Sequence, residues 1–255
     1  MTSAMLRLDR LLANMGYGSR KDIDALVRSG RVVLDGAPVT DSGARVAVSP
    51  ALSTRMKVAG EPLDPPPGLA LLLHKPLGVT CSHKEAGPLV YGLLPPRWRT
   101  RKPAISTIGR LDKETSGLLL LTDDGGLLHR VIAPKSNIAK RYRVTLDRPL
   151  RGDEATVLAS GTLMLDGEDK PLLAIAMEIV ATETAAPMGT PSGPVVNVTL
   201  TEGRYHQVRR MFAALGNHVV ALHRDRIGGL DLPADLAPGR FLIMSDDMIA
   251  MIFRP

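Results

Sequence analysis

Three stretches of the sequence hold side chains whose types and spacing could do chemistry. The first is GRLDKETSGLLLLTDDG, residues 109–125, where Arg110 and Asp112 stand in a tight polar segment just before the apolar run 118–121. A carboxylate mounted there is held on a rigid element beside any cleft the sheet edge makes, which is how a nucleophile is presented. An Asp that caps its own turn is the plainer alternative. Aspartic-protease chemistry is excluded, because it needs two carboxylates sharing a proton and the chain has one such turn.

The second stretch is LTEGRYHQVRRMFAALGNHVVALHRDRIGG, residues 200–229, with Arg204, Arg209, Arg210, Arg224 and Arg226 close together. A guanidinium fork grips a carboxylate or phosphate through two hydrogen bonds. Arg209 and Arg210 adjoin the helical stripe Val208, Phe212 and Leu215, so one of them should reach the core boundary and need an acidic partner, for which Asp112 is a candidate. His206, His218 and His223 fit no zinc spacing, and neither does Cys81 with His74 and His83. The third stretch is KRYRVTLDRP, residues 140–149. Strand alternation puts Tyr142 and Val144 on one face and Arg141 and Arg143 on the other, so one ring faces core or cleft while the charges face outward.

These groups need a scaffold. From Leu69 onward the runs LALLLHKPLG, TSGLLLLTDDGG, YRVTLDRP and VVNVTLTEG read as strands closed by turn residues, with a helix over 206–215. The expected fold is α+β around a mixed or mostly antiparallel sheet. Residues 181–194, ATETAAPMGTPSGP, read as a mobile loop between strands. Ahead of this part, Leu8, Leu11 and Leu12 mark a short helix. Ser19 and Asp22 form a capping box for a second helix that ends at Gly30, and RVVLDGAPV reads as a hairpin turning at Asp35-Gly36. The four prolines of EPLDPPPG place a boundary at 61–68. This gives a small domain over 1–60, a linker, and a larger domain over 69–255.

Composition narrows the class. Of the 255 residues 44% are hydrophobic and 23% charged, as in an ordinary globular chain, and a single Cys leaves no disulfide framework. No apolar run is long enough to span a bilayer and the start lacks a secretory signal, so the expectation is a cytoplasmic protein without a membrane partner. The net charge of +6 is uneven: residues 1–60 hold nine basic and five acidic side chains. Arg20, Lys21, Arg28 and Arg31 cluster around the second helix, where they would meet the phosphates of a nucleic acid. Aromatic residues are only 3%, so base stacking must rest on one or two rings. No phosphate loop, dinucleotide fingerprint or Ser elbow is present. The residues themselves thus describe a basic accessory domain and a cofactor-free site of Asp, Arg and Tyr.

Taken together, GRLDKETSGLLLLTDDG, KRYRV and EGRYHQVRRMFAALGNHVVALHRDRIGG resemble the pseudouridine synthases. The closest resemblance is to the ribosomal RNA branch with an N-terminal S4-like RNA-binding domain, and the third motif, running on into DLPADLAPGRF, looks like its small-subunit, RsuA-type members. The resemblance implies that a uridine is flipped out, its base detached from the sugar and rejoined through carbon, without metal or organic cofactor. It places the nucleophile at Asp112, the side chain that fills the vacated space at Arg110, the ring stacked on uracil at Tyr142, and the basic partner of the nucleophile at Arg209. RNA contacts are expected from Arg204, His206, Gln207 and Arg210, and in the small domain from Arg10, Arg20, Lys21, Arg28 and Arg31. RWRTRK, 97–102, adds positive charge outside the family pattern and is a further RNA-contact candidate. The implied partner is 16S rRNA or a partly assembled small ribosomal subunit, met by a monomer. A large-subunit rRNA uridine is the alternative target. A non-catalytic assembly factor is the alternative class, disfavoured because a binding module has no need of a carboxylate facing phosphates.

Overall fold

The computed structural model describes residues 4–181 and 193–254, so most of the expected 181–194 loop lies outside the described residues. The chain divides into two compact units. One comprises residues up to Leu71 together with Tyr91–Thr107 and Leu121–Leu128; the other comprises Leu72–Val90, Ile108–Leu120 and the residues from His129 onward.

The first unit opens with β1 (Ala4–Arg7), α1 (Leu8–Asn14) and α2 (Arg20–Arg28), then β2 (Val32–Leu34), β3 (Ala37–Pro38), β4 (Arg45–Val48), α3 (Leu52–Arg55), β5 (Met56–Val58) and β6 (Glu61–Pro62). The start of α2 is the expected capping box: Ser19 Oγ accepts from the Asp22 N–H at 3.3 Å and an Asp22 carboxylate oxygen accepts from the Ser19 N–H at 2.8 Å. Its end is a Schellman motif, in which the Gly30 N–H donates to the Val27 carbonyl and the Arg31 N–H to that of Leu26. Asp35 and Gly36 both have positive φ, the geometry a two-residue hairpin between β2 and β3 requires. Leu8, Leu11, Leu12, Met15, Ile23, Val27, Val32 and Met56 form one buried cluster, each side chain contributing roughly 1.5–3 kcal/mol by leaving water.

The proline-rich stretch packs within this unit. β6 lies at the edge of the sheet β3-β2-β5-β6, where a proline's missing N–H costs no ladder bond. The Asp64 N–H donates to the Tyr17 hydroxyl, and the Pro65 carbonyl accepts from Arg101. In the basic segment 97–102 Trp98 and Arg101 are buried, whereas Arg97, Arg99 and Lys102 stay exposed. Arg97 lies over the Tyr17 ring at 4.2 Å, and Arg99 donates to the Gly92 and Leu94 carbonyls. Arg101 is buried against Asp123 at 2.9 Å. The expectation of an RNA contact there gives way for Arg101, whose buried guanidinium is held by Asp123 and the Pro65 carbonyl.

The remaining elements are β7 (Ala70–Lys75), β8 (Ser106–Ile108), β9 (Ser116–Thr122), α4 (Gly125–Ile132), β10 (Lys140–Leu146), α5 (Glu154–Ala159), β11 (Ala176–Ala181), β12 (Val195–Leu200), α6 (Gln207–Ala214), β13 (Val219–Ile227), β14 (Leu230–Asp231), β15 (Phe241–Ile243) and α7 (Asp246–Met251). They build a mixed sheet in the order β11-β12-β10-β13-β9-β7-β15, with β14 beside β13 and β8 beside β9. The β10–β12 and β10–β13 pairs are antiparallel and the β13–β9 pair is parallel. Val208, Met211 and Phe212 of α6 bury against Val144, Val196, Val198 and Leu222 of the sheet, which fixes the helix over the β10–β13 seam. Gly117, with φ of +112°, stands opposite Arg224 where β9 and β13 meet, and a Cβ there would run into the Arg224 backbone. The SG that opens the apolar run is therefore a close-approach site.

Candidate active site

A cavity of about 760 Å³ opens in the second unit, bounded by the 108–112 turn, β10, the 200–206 segment, the start of α6 and β13. Its size falls within the roughly 300–1,000 Å³ typical of small-molecule sites. Asp112 and Tyr142, expected from separate motifs, both line it, as do Arg110, His206 and Arg209.

Asp112 sits in the turn ahead of β9, its carbonyl accepting from the Thr115 N–H. Its side chain is about two-fifths exposed, and a carboxylate oxygen lies 3.5 Å from His206 Nε2. The turn is held from two sides. Lys75, fully buried at the end of β7, donates from Nζ to the carbonyls of Pro76, Lys113 and Thr115, the last two following Asp112 in the turn. Burial lowers its ammonium pKa, with Cys81, Asp112 and Glu114 opposing that shift. Arg209 supplies the other tether, at 2.9 Å to the Glu114 carbonyl and 2.9 Å to that of Val219. The expected fork between Arg209 and the Asp112 carboxylate is thus replaced: Arg209 holds the backbone two residues on, and His206 faces the carboxylate.

Tyr142 lies half-buried on β10, beside a register shift between Arg141 and Tyr142. Its hydroxyl accepts from Arg224 Nη1 at 3.3 Å. Arg224 is 4% exposed and also donates from Nε to the Leu118 carbonyl, while its Nη2 is buried without a hydrogen-bond partner among the described residues. A buried guanidinium whose only partners are neutral oxygens is costly, and it biases the adjoining cavity toward anions. Lys140 adds to that bias; burial, then the Arg224 charge, lowers its pKa. Arg141 and Arg143 face away from the cavity as expected, Arg141 pairing with Asp225 at 2.9 Å.

The 200–210 segment departs from expectation. Arg204, Gln207 and Arg210, expected as RNA contacts, are engaged by internal partners, and Arg204 and Gln207 line the cavity. Arg204 binds Glu202 at 3.1 Å and the Lys170 carbonyl at 2.7 Å, and Arg210 binds Glu168 at 2.8 Å. Gln207 is buried, accepting from the Arg204 N–H and donating to Glu202. A guanidinium whose fork is already occupied by carboxylates and carbonyls has little left for phosphate. His206 stays available at the cavity with a positive φ of 48°, a conformation uncommon outside glycine. Arg110 is exposed beside Asp112.

Of the other candidates, His223 accepts or donates at 2.9 Å to Ser116 and packs edge-on against His74; burial, then His74, lowers its pKa. Cys81 is buried and its thiol is pushed up by burial, so it stays protonated at neutral pH. Among the described residues no three His, Cys, Asp or Glu side chains come together as a metal site, and no helix is long and apolar enough to cross a membrane. The five cationic candidates of the first unit, Arg10, Arg20, Lys21, Arg28 and Arg31, are all exposed, with Arg28 bound to Asp24 at 2.8 Å. Lys75 is the site position that sequence reasoning did not single out, and Arg224 entered there only as one of five clustered arginines; the Lys-Pro pair that ends an apolar strand is the signal that marks Lys75.

One mixed sheet thus carries the Asp turn, the strand Tyr and the cation-lined cavity. The chain belongs to the RNA pseudouridine synthases, which convert uridine to pseudouridine: residues 70–214 match the RNA pseudouridylate synthase family and residues 6–49 match the S4 domain. It is 37% identical over 253 residues to the ribosomal small subunit pseudouridine synthase A of Escherichia coli (strain K12), covering 97% of this chain and 100% of that one. It is 36% identical over 252 residues to the uncharacterized RNA pseudouridine synthase YtzG of Bacillus subtilis (strain 168), covering 98% and 99%. A solved pseudouridylate synthase superposes with a TM-score of 0.65 at 32% identity, covering 97% of this chain and 99% of that one.

Proposed function

We infer that the substrate is a uridine of 16S rRNA, met as naked RNA or within a partly assembled small ribosomal subunit, and that the enzyme works in the cytoplasm as a monomer. The observation that carries this reading is similarity along the whole chain, S4 domain included, to synthases named for the small subunit. In this reading residues 1–60 anchor the RNA, 61–68 lead on, and 69–255 do the chemistry. Extruding a uridine costs a few kcal/mol, which stacking on Tyr142 returns in part, at about 1–3 kcal/mol. Phosphate contacts from Arg10, Arg20, Lys21, Arg28 and Arg31 hold the register.

Asp112 is the nucleophile. Its turn is fixed by Lys75 and Arg209, so the carboxylate meets the flipped nucleotide without rearrangement. Arg110, exposed next to it, occupies the place the uridine leaves. The bond from C1′ to N1 breaks, the base turns, C5 bonds to C1′, and the proton lost from C5 is balanced by one gained at N1. The cationic surroundings of Lys140 and Arg224 favour the anionic character the detached base acquires.

The test incubates the protein with unmodified small-subunit rRNA, with a partly assembled small subunit and with large-subunit rRNA, and maps pseudouridines by carbodiimide labelling and primer extension. A new stop on a small-subunit substrate is expected. A stop on large-subunit rRNA alone would move the target, and silence on all three would overturn the catalytic reading in favour of an assembly factor.

A further inference from the structure

Resting on the proposed function, we propose that the stacked rings of Tyr205 and His206 form a second nucleobase platform, which takes the unpaired base adjoining the target uridine in the RNA chain. Tyr205 is 75% exposed, more than any other large apolar or aromatic side chain described as exposed. It belongs to a chain with only four tyrosines, three phenylalanines and one tryptophan. Its ring lies parallel on the His206 ring, centroids 3.9 Å apart and planes 15° apart. His206 in turn reaches Asp112 with Nε2 at 3.5 Å. One ring thickness therefore separates Tyr205 from the group that touches the reacting carboxylate, a separation on the scale of one base step.

The platform is rigid at its foundation. The Tyr205 carbonyl accepts from Arg210 Nη1 at 3.2 Å, and Arg210 is itself locked onto Glu168. The preceding residue, Arg204, is held by Glu202 and the Lys170 and Pro171 carbonyls. His206, in its left-handed conformation, is followed directly by α6, whose Arg210 N–H bonds the His206 carbonyl at 3.0 Å. An aromatic ring left in water on so braced a mount presents an apolar face without the ordering cost a loose side chain would carry on binding. Tyr142 also lines the cavity, so it and Tyr205 can hold two successive bases, the target inside and its neighbour at the rim. Stacking accepts any base face, so the platform fixes position more than sequence.

The experiment uses the full-length protein and its Tyr205→Ala, Tyr205→Phe and Tyr205→Trp variants. The RNA carries 2-aminopurine in place of the nucleotide on one side of the target uridine or the other. Wild type should quench 2-aminopurine on one flank. Tyr205→Ala should lose that quench and raise KM about tenfold or more with a smaller change in kcat, whereas Phe and Trp should retain both properties. An unchanged KM for Tyr205→Ala, a Phe variant behaving like Ala, or no quench on either flank would overturn the platform. Quenching needs no turnover, so RNA that is bound and quenched but never isomerised would count against the catalytic reading alone.

Discussion

The arginines of the S4-bearing segment and those of the cavity rim look alike in sequence and are placed in opposite ways. Arg10, Arg20 and Arg31 stand exposed on the first unit, whereas Arg204, Arg209 and Arg210 turn inward onto carbonyls and carboxylates. For Arg204 and Arg210 the difference comes from the acids, since Glu168 and Glu202 take them up. On the exposed face of α2 only Arg28 has such a partner, Asp24. A guanidinium near a loop carboxylate or a free carbonyl becomes a brace; one without an internal acceptor stays exposed to solvent.

The largest effect that would sharpen this contrast is expected inside the first unit. Arg101 and Asp123 are each about 1% exposed, and Asp123 also accepts from the Gly68 and Leu69 N–H groups. Asp123→Ala leaves the Arg101 charge buried and should cost about 3–5 kcal/mol in denaturant unfolding. A cost below about 1 kcal/mol would return Arg101 to the surface charges. Next, replacing Arg20, Lys21, Arg28 and Arg31 together by Gln should flatten the salt dependence of RNA binding, lowering the slope of log K against log salt by about 2 to 3, with kcat at saturating RNA unchanged. An unchanged slope would place the anchor elsewhere.

Smaller, and aimed at the rim, is Glu168→Gln. If Arg204 and Arg210 were RNA contacts, weakening their internal partner should tighten RNA binding. As braces they should instead let the rim loosen, lowering kcat/KM and melting temperature without a gain in affinity. The same contact gives an acid dependence. The hydrogen bond from Arg210 holds the Glu168 carboxyl below its usual range, so its contribution is complete above the unfolded carboxylate pKa and is lost as pH falls through the folded one. Thermal melts should show the wild type losing its advantage over Glu168→Gln across that acidic window.

What could be read from sequence follows the same physics. The strands β7, β9, β10 and β12, helix α6, the α2 capping box and the Asp35-Gly36 turn were legible because each depends on residues a few positions apart. Asp112 was legible for the same reason, as a polar turn against a run of leucines. The partners of the arginines were not, since Arg210 meets Glu168 and Arg209 meets Glu114 across long stretches of chain. Lys75 was hidden in an apolar strand that reads as core. Arg224 was visible in a cluster of five arginines, but its burial follows from the parallel β9–β13 pairing opposite Gly117, which periodicity does not encode.

The central claim is that a fixed Asp112 performs the isomerisation on RNA that other parts of the chain hold. The most direct measurement compares wild type with Asp112→Asn in single-turnover pseudouridine formation and in equilibrium RNA binding, on the same RNA. Turnover should fall at least about a thousandfold while affinity stays near that of wild type. Retained turnover, or an affinity that falls as far as the rate, would contradict the claim.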